Sequence, residues 1–343
     1  MLPEEAFAFL SRSSGQRQRF EHRFALAGLD VLLHSSVEPL ADLFFRPFSH
    51  LQSAESARAD TQLDVEIVTG TPRPQLENAP RGDGFFRSAG SHRFHASPDG
   101  RFVCHEVLAS NSVWCLDRHN RRIIGWVESA ERVTHYEMGK PFANLLSLVV
   151  EPFGRYLIHA AVVSWRGQGV LFAGPGGAGK STSALACLRG GFDFIGEDLV
   201  ILDENPEDHF TAHSAYNSAW IEPGHLMRFG GLATHAQNSR EVEQNKSLLM
   251  LADIFPGQLS ASTPLRFIMI PRINPGTASA IEPAVKPDAF KQLAPNCLMT
   301  ATRIDMNGFQ TLARLVQATP CFQLTLGDDL DRVPDLIKRR VEA

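Results

Sequence analysis

The chain has 343 residues, 43% of them hydrophobic and 21% charged, with a formal net charge of -5; this is the composition of a folded globular protein and excludes a disordered or fibrous one. Its length exceeds the roughly 100 to 150 residues of a common domain, so two domains are expected. With 33 Lys and Arg against 38 Asp and Glu, no basic surplus is available to hold a phosphate backbone, which argues against nucleic acid as a main partner.

The amino terminus, MLPEEAFAFLSRSSGQRQRF, is acidic at once and lacks the apolar core of a secretory signal. No apolar run approaches the ~18 residues that would cross a bilayer. The five cysteines, Cys104, Cys115, Cys187, Cys297 and Cys321, are scattered without a CxxC pair or zinc spacing and read as reduced thiols. A cytoplasmic protein with no membrane partner is expected.

From residue 22 to about 136 short alternating runs dominate: FALAGLDVLLH, LDVEIV, RFHAS, RFVCHEV, SVWCL and RRIIGWV. They predict strands. SPDG at 97–100 and DRHN at 117–120 predict two hairpin turns, VEPLADLFFRPFSHL a short helix, and SAESARADTQ and TGTPRPQLENAPRGDG polar loops. Residues 140–153, KPFANLLSLVVEPF, carry apolar side chains at helix spacing and predict a bridging helix stopped by Gly154. The domains are set at 1–138, a smaller strand-rich α+β domain, and 139–343, a mixed α/β domain. In the latter YLIHAAVVSW, GVLFAG, FDFI, LVIL, WIEPG, SLLML, LRFIMIPRI and SAIEPAV predict strands, and DAFKQLA, GFQTLARLVQ and VPDLIKRRVEA predict helices.

The chemistry concentrates in residues 169–202, GVLFAGPGGAGKSTSALACLRGGFDFIGEDLVIL. Gly174, Pro175, Gly176, Gly177, Ala178, Gly179, Lys180 and Ser181 match G-x-x-x-x-G-K-[ST] completely, with an apolar strand before the match and a helical run, STSALACLRG, after it. Glycines let successive main-chain N–H groups curl around phosphate oxygens, and the start of a helix favours negative charge. Lys180 is expected to neutralise β and γ oxygens and Ser181 to ligate Mg²⁺. Glu197 and Asp198 follow the short strand FDFI. Neighbours at a strand end point to opposite sides, so one acid is expected at the metal and the other at an acceptor hydroxyl.

These features resemble the HPr kinase/phosphorylase family, with its HPr-related and lasso-peptide kinases. The likeness rests on His159-Ala160 at a strand end, the loop from Gly174 to Thr182, and the acidic pair Glu197-Asp198, and it spans roughly residues 155–340. AWIEPG, NKSLLML, PLRFIMI and CFQLTLGDDLDRVPDLI fit the family outline. The resemblance implies a P-loop HPr kinase-like catalytic domain using ATP and Mg²⁺. The nucleotide is held by Gly174, Gly176, Gly177, Ala178, Gly179, Lys180, Ser181, Thr182 and Lys246. Glu197 and Asp198 supply a base and a metal contact, the roles not divided between them, and His159 lies close to phosphate or acceptor. The family's first acid is an aspartate where this chain has Glu197, and a second cation expected beside Lys246 is replaced by Ser247. The chain also lacks the front domain and regulatory signature of a true HPr kinase, so its acceptor is not expected to be HPr. Arg228, Arg266, Arg272 and Arg303 are further candidates for charge compensation, unranked. The family likeness leaves a homo-oligomer open.

His92, His95, His105 and His119 invite a metal reading, but a spacing of three on a strand puts His92 and His95 on opposite faces, and surface histidines are expected. Trp114 and Trp126 are expected in the core. The resulting expectation is an ATP-dependent kinase that moves the γ-phosphate to a serine or threonine of a protein or peptide, or to a small hydroxylated metabolite, with the front domain presenting the acceptor. The alternatives are a nucleotide-binding regulatory switch or ATPase without an acceptor, and a scaffold that keeps the loop for stability.

Overall fold

In a computed structural model the described residues are 1–13, 19–53, 61–76, 92–205, 209–226, 229–238, 246–300 and 306–342. They group into two compact units, the described residues up to 152 and those from 153 to 342. Arg228 and Arg303, most of the two polar loops, and the Cys297 side chain lie outside the described residues.

The first unit is a seven-stranded sheet with helices. It comprises α1 (Pro3–Ser13), β1 (Phe20–Leu26), β2 (Leu29–Ser35), α2 (Glu38–Phe45), β3 (Gln62–Val68), β4 (His92–Ala96), β5 (Phe102–Val107), β6 (Ser112–Asp117), β7 (Arg122–Trp126), α3 (His135–Gly139) and α4 (Ala143–Val150). The order is β1-β2-β3-β7-β6-β5-β4. SPDG joins the antiparallel pair β4–β5, and DRHN joins β6–β7. β3 lies parallel to both of its neighbours, β2 and β7. Alternation divides the two faces: Val113 and Cys115 pack under Ala6, Phe7 and Leu10 of α1, while Trp114 between them turns to the other face and meets Phe44 of α2 edge-on at 5.1 Å. Trp114 lies opposite Gly125, and a Cβ there would stand 2.2 Å from the indole; only glycine leaves room for that ring. Helix α4, expected to bridge the domains, groups with this unit.

One expectation for this unit fails. Of the four histidines, His119 is exposed, whereas His95 and His105 are buried and His92 is half-buried. The reason is pairing across strands. His92 Nδ1 lies 2.9 Å from His105 Nε2, and His95 bonds Glu106 at 2.9 Å, which Arg73 also pairs. Phe94 stacks on His105 at 4.5 Å, and burial lowers the pKa of that imidazole to about 3. Among the described residues no group of three or more His, Cys, Asp or Glu is arranged to hold a metal ion.

The second unit is a three-layered α/β body with a smaller sheet. Its strands begin with β8 (Arg155–Ile158), β9 (Ala161–Trp165), β10 (Gln168–Phe172), β11 (Asp193–Gly196), β12 (Val200–Glu204) and β13 (Phe210–Ser214). β14 (Ser218–Ile221), β15 (Gln237–Asn238), β16 (Ser247–Met250), β17 (Ser262–Ile273), β18 (Ala280–Pro283) and β19 (Cys321–Leu326) complete them. Helices α5 (Lys180–Arg189), α6 (Pro223–Leu226), α7 (Leu251–Ile254), α8 (Lys286–Thr300), α9 (Met306–Ala318) and α10 (Val333–Glu342) lie between. The large sheet runs β11-β9-β10-β17-β13-β12-β8, with β19 and β18 joined beside β17.

YLIHAAVVSW does not form the single strand its apolar run predicts. It breaks at His159-Ala160, because β8 pairs with β12 while β9 pairs with β10 and β11, so the chain changes neighbours between them. Helices α5 and α10 cover one face of the sheet, burying Ala184, Cys187, Val333 and Ile337 on Phe172, Met269 and Leu324. Helices α8 and α9 cover the other, burying Leu293, Leu312 and Leu315 on Leu171 and Ile268. Leu185 and Leu188 share the opposite side of α5 and pack against the small β14-β16-β15 sheet. Both α5 faces are therefore occupied, which fixes the helix and the loop that feeds it. Among the described residues no helix is long and apolar enough to cross a membrane.

Candidate active site

β10, β17 and β19 are parallel neighbours, so their carboxyl ends and the loops that follow lie together, the usual location of ligand sites in α/β sheets. The loop after β10 is the glycine-rich one. Gly174, Gly177 and Gly179 have φ of 156°, 78° and 105°, and the last two lie in the left-handed region that side chains avoid. A Cβ on Gly179 would also stand 2.4 Å from Leu326, whereas Gly176 and Gly177 face open space. The close packing on one side of the loop and the clearance on the other make a cradle lined by main chain. Helix α5 begins at Lys180 with Gly179 as its N-cap, so no N-cap side chain competes with a ligand for the first N–H groups of the helix.

Lys180 is buried and curls back under the loop, its Nζ donating to the carbonyls of Gly174 at 2.8 Å and Pro175 at 3.1 Å. Burial lowers its pKa to about 8, Glu197 acting in the opposite sense and Lys246 reinforcing the fall. Lys246, half-buried just before β16, thus acts electrostatically on Lys180 from a distant part of the sequence. Ser181 and Thr182 are half-buried in the first turn of α5.

The two acids point apart. Ser181 donates its hydroxyl to Oε1 of Glu197, and the Trp220 amide donates to Oε2 at 3.0 Å, so Glu197 is buried beneath the start of α5. Asp198 instead pairs with His159, Oδ1 to Nδ1 at 2.7 Å. The turn responsible is tight: the Leu199 amide donates to the Glu197 carbonyl at 2.8 Å, with Asp198 between them at φ 69°. A three-residue turn with a left-handed centre is a rare and strained one, and Asp is among the few side chains that tolerate it. His159, at the break between β8 and β9, is the partner that this turn presents to Asp198.

The structure therefore brings together Gly174 to Ser181, Glu197 and Lys246 around the start of α5, and joins Asp198 to His159 beside them. Arg272 lies exposed near the carboxyl end of β17. Arg266 is not brought to this site: it lies seven residues back along β17, about 23 Å from that end at the usual rise, next to the start of β10 rather than its finish. The Trp220 amide was not foreseen, since a main-chain donor has no residue-type signature. The apolar floor of Pro271, Ile273 and Leu326 beneath Gly179 was likewise invisible as a unit, because its parts come from two strands.

Magnesium and a nucleotide suit these groups. A hydroxyl and a carboxylate in contact are hard oxygen donors, and Mg²⁺ is commonly held by one or two such groups together with substrate phosphates rather than by a full protein cage. The clearance over Gly176 and Gly177 matches what approach of a phosphate to main-chain amides requires.

No protein-family model matches the chain, and no curated protein matches it significantly. Among solved structures it is similar to the Hpr(Ser) kinase/phosphatase from Coxiella burnetii, at 10% identity, covering 54% of this chain and 96% of that one, with a TM-score of 0.30. At that score the likeness carries no weight for fold or activity.

Proposed function

We propose that this protein is a P-loop phosphotransferase that binds MgATP and moves its γ-phosphoryl group to a hydroxyl acceptor. One observation carries the reading: a complete glycine loop delivers Lys180 and Ser181 to the same helix start that Glu197 reaches, while Asp198 turns away to His159.

The loop amides and the first turn of α5 bind the phosphate chain, and Lys180 exchanges its two carbonyl bonds for phosphate oxygens. Ser181 and Glu197 would hold Mg²⁺, which would supply charge neutralisation to the phosphate chain. Asp198, fixed by His159, accepts the proton of the acceptor hydroxyl as its oxygen forms a bond to the γ-phosphorus. The bond from that phosphorus to the β–γ bridging oxygen breaks, leaving ADP. A positioned base contributes typically ~10² to 10⁴-fold, and the remaining acceleration comes from positioning and charge neutralisation.

The test incubates purified protein with MgATP and a soluble extract and searches by mass spectrometry for a species heavier by about 80 mass units, the mass of an added phosphoryl group. A phosphorylated product that depends on Lys180 supports the reading. Nucleotide turnover without any such product favours an ATPase or switch, and absence of nucleotide binding removes the reading altogether.

A further inference from the structure

The phosphate cradle leaves open where the rest of a nucleotide lies. Few large apolar side chains are exposed among the described residues; in the second unit they are Ile273, 46% exposed, and Val285. Val285 precedes α8, away from the loop. Ile273 is the last residue of β17 and lies opposite Leu326 of β19. In parallel register both point to the face that carries Gly179, and a Cβ built on Gly179 lies 3.5 Å from Ile273 Cγ1. An apolar, half-exposed side chain thus touches the residue that ends the phosphate loop.

The surroundings form a platform. The turn after β17 is tied to the turn after β19 by several bonds: Gly276 N–H to Asp328 at 3.0 Å, Ser279 N–H to Asp329 at 2.7 Å, Gly327 N–H to the Ser279 hydroxyl at 3.0 Å, and Asp328 N–H to the Thr277 carbonyl at 3.1 Å. Gly327 admits no side chain, since a Cβ would stand 2.0 Å from the Thr277 carbonyl. Two loops at the carboxyl ends of parallel strands are locked into one surface before any ligand arrives, and a pre-formed site loses less on binding. A nucleobase has an apolar face and a hydrogen-bonding edge, which match one branched aliphatic side chain and the polar turns around it.

We infer that Ile273, at the seam of β17 and β19, is the base-contacting residue of the nucleotide site, so that it separates binding of a nucleoside triphosphate from binding of inorganic polyphosphate. This rests on the phosphate-binding reading above and adds the subsite for the nucleoside end.

The test is isothermal titration of the full chain with ATP and with sodium tripolyphosphate, each with magnesium, for the wild type, Ile273→Ser and Ile273→Leu. Ile273→Ser is expected to weaken ATP about tenfold, as loss of a partly buried aliphatic contact does, and to weaken tripolyphosphate far less, since Leu326 and Pro271 still support Gly179; Ile273→Leu is expected to retain wild-type ATP affinity. Thermal unfolding at an unchanged temperature in both variants shows that the fold is intact. Wild-type binding of both probes with ATP indifferent to Ile273→Ser, or both probes weakened alike, overturns the base subsite and leaves the phosphate site standing. A wild type that binds neither probe overturns both.

Discussion

The Ser181 hydroxyl donates to the carboxylate of Glu197, 16 positions further along the chain, while the very next residue, Asp198, is turned away to His159. This division separates two substitutions that look alike on paper. Glu197→Gln is expected to raise the magnesium concentration needed for phosphoryl transfer; Asp198→Asn is expected to leave that requirement alone and lower the transfer rate by ~10² to 10⁴-fold, with nucleotide still bound. Asn tolerates the left-handed turn, so the fold survives. Magnesium titrations of the transfer rate in both variants check this, and identical profiles would contradict the division.

Two glycines of the loop differ in what a methyl group would meet. Gly179→Ala sets a Cβ against Leu326 at 2.4 Å in a backbone of φ 105°, and is expected to lower both the melting temperature and the affinity for nucleotide. Gly176 faces open space, so Gly176→Ala is expected to keep the wild-type melting temperature and lose affinity only. Calorimetric melting paired with binding titrations distinguishes a structural glycine from one that makes room for an anion.

Burial disfavours the charge of Lys180 and pushes its pKa down to about 8. Phosphate favours the charged form. Triphosphate affinity is therefore expected to be level between about pH 7, below which the terminal phosphate takes up a proton, and about pH 8, and to fall above it, with uptake of a proton on binding at about pH 8.5. Titrations in two buffers of different ionisation enthalpy measure that proton. The sign for stability follows from the same shift: the unfolded lysine, near 10.4, binds a proton that the folded one resists. Its destabilising contribution is full below pH 8 and disappears as pH rises toward the unfolded value.

In the first unit the room for Trp114 depends on Gly125. Gly125→Val is expected to cost about 3 kcal/mol, the upper part of the usual range for overpacking, read as a lower denaturation midpoint. A midpoint equal to wild type would mean that the indole has another place to go.

Much of this was legible in the linear chain. The strands of the first unit are short apolar runs between turn residues, which are local signals, so the runs and both hairpin turns could be read directly, although β6 is buried at every position and β2, β5 and β7 at all but one. The glycine loop was legible for the same reason: a tight phosphate-binding turn needs particular residues at consecutive positions. The break at His159-Ala160 was legible only through the family resemblance, which sets these residues at a strand end; the apolar pattern hid it, because both halves of YLIHAAVVSW are equally apolar and only their choice of neighbours ends one strand and begins the next. The buried His95 and His105 were missed because the carboxylate and ring partners that make burial tolerable lie on other strands.

The local sequence alone determined that a strand, a glycine turn and a helix follow one another, that Lys180 and Ser181 open that helix, and that two acids close the next strand. What only the tertiary structure decided is which acid meets Ser181 and which meets His159, and that Ile273 comes to lie against Gly179. The physical reason is that backbone conformation answers to near neighbours, whereas side-chain partnership depends on how a sheet orders strands that are remote in the chain, and no local pattern records that order.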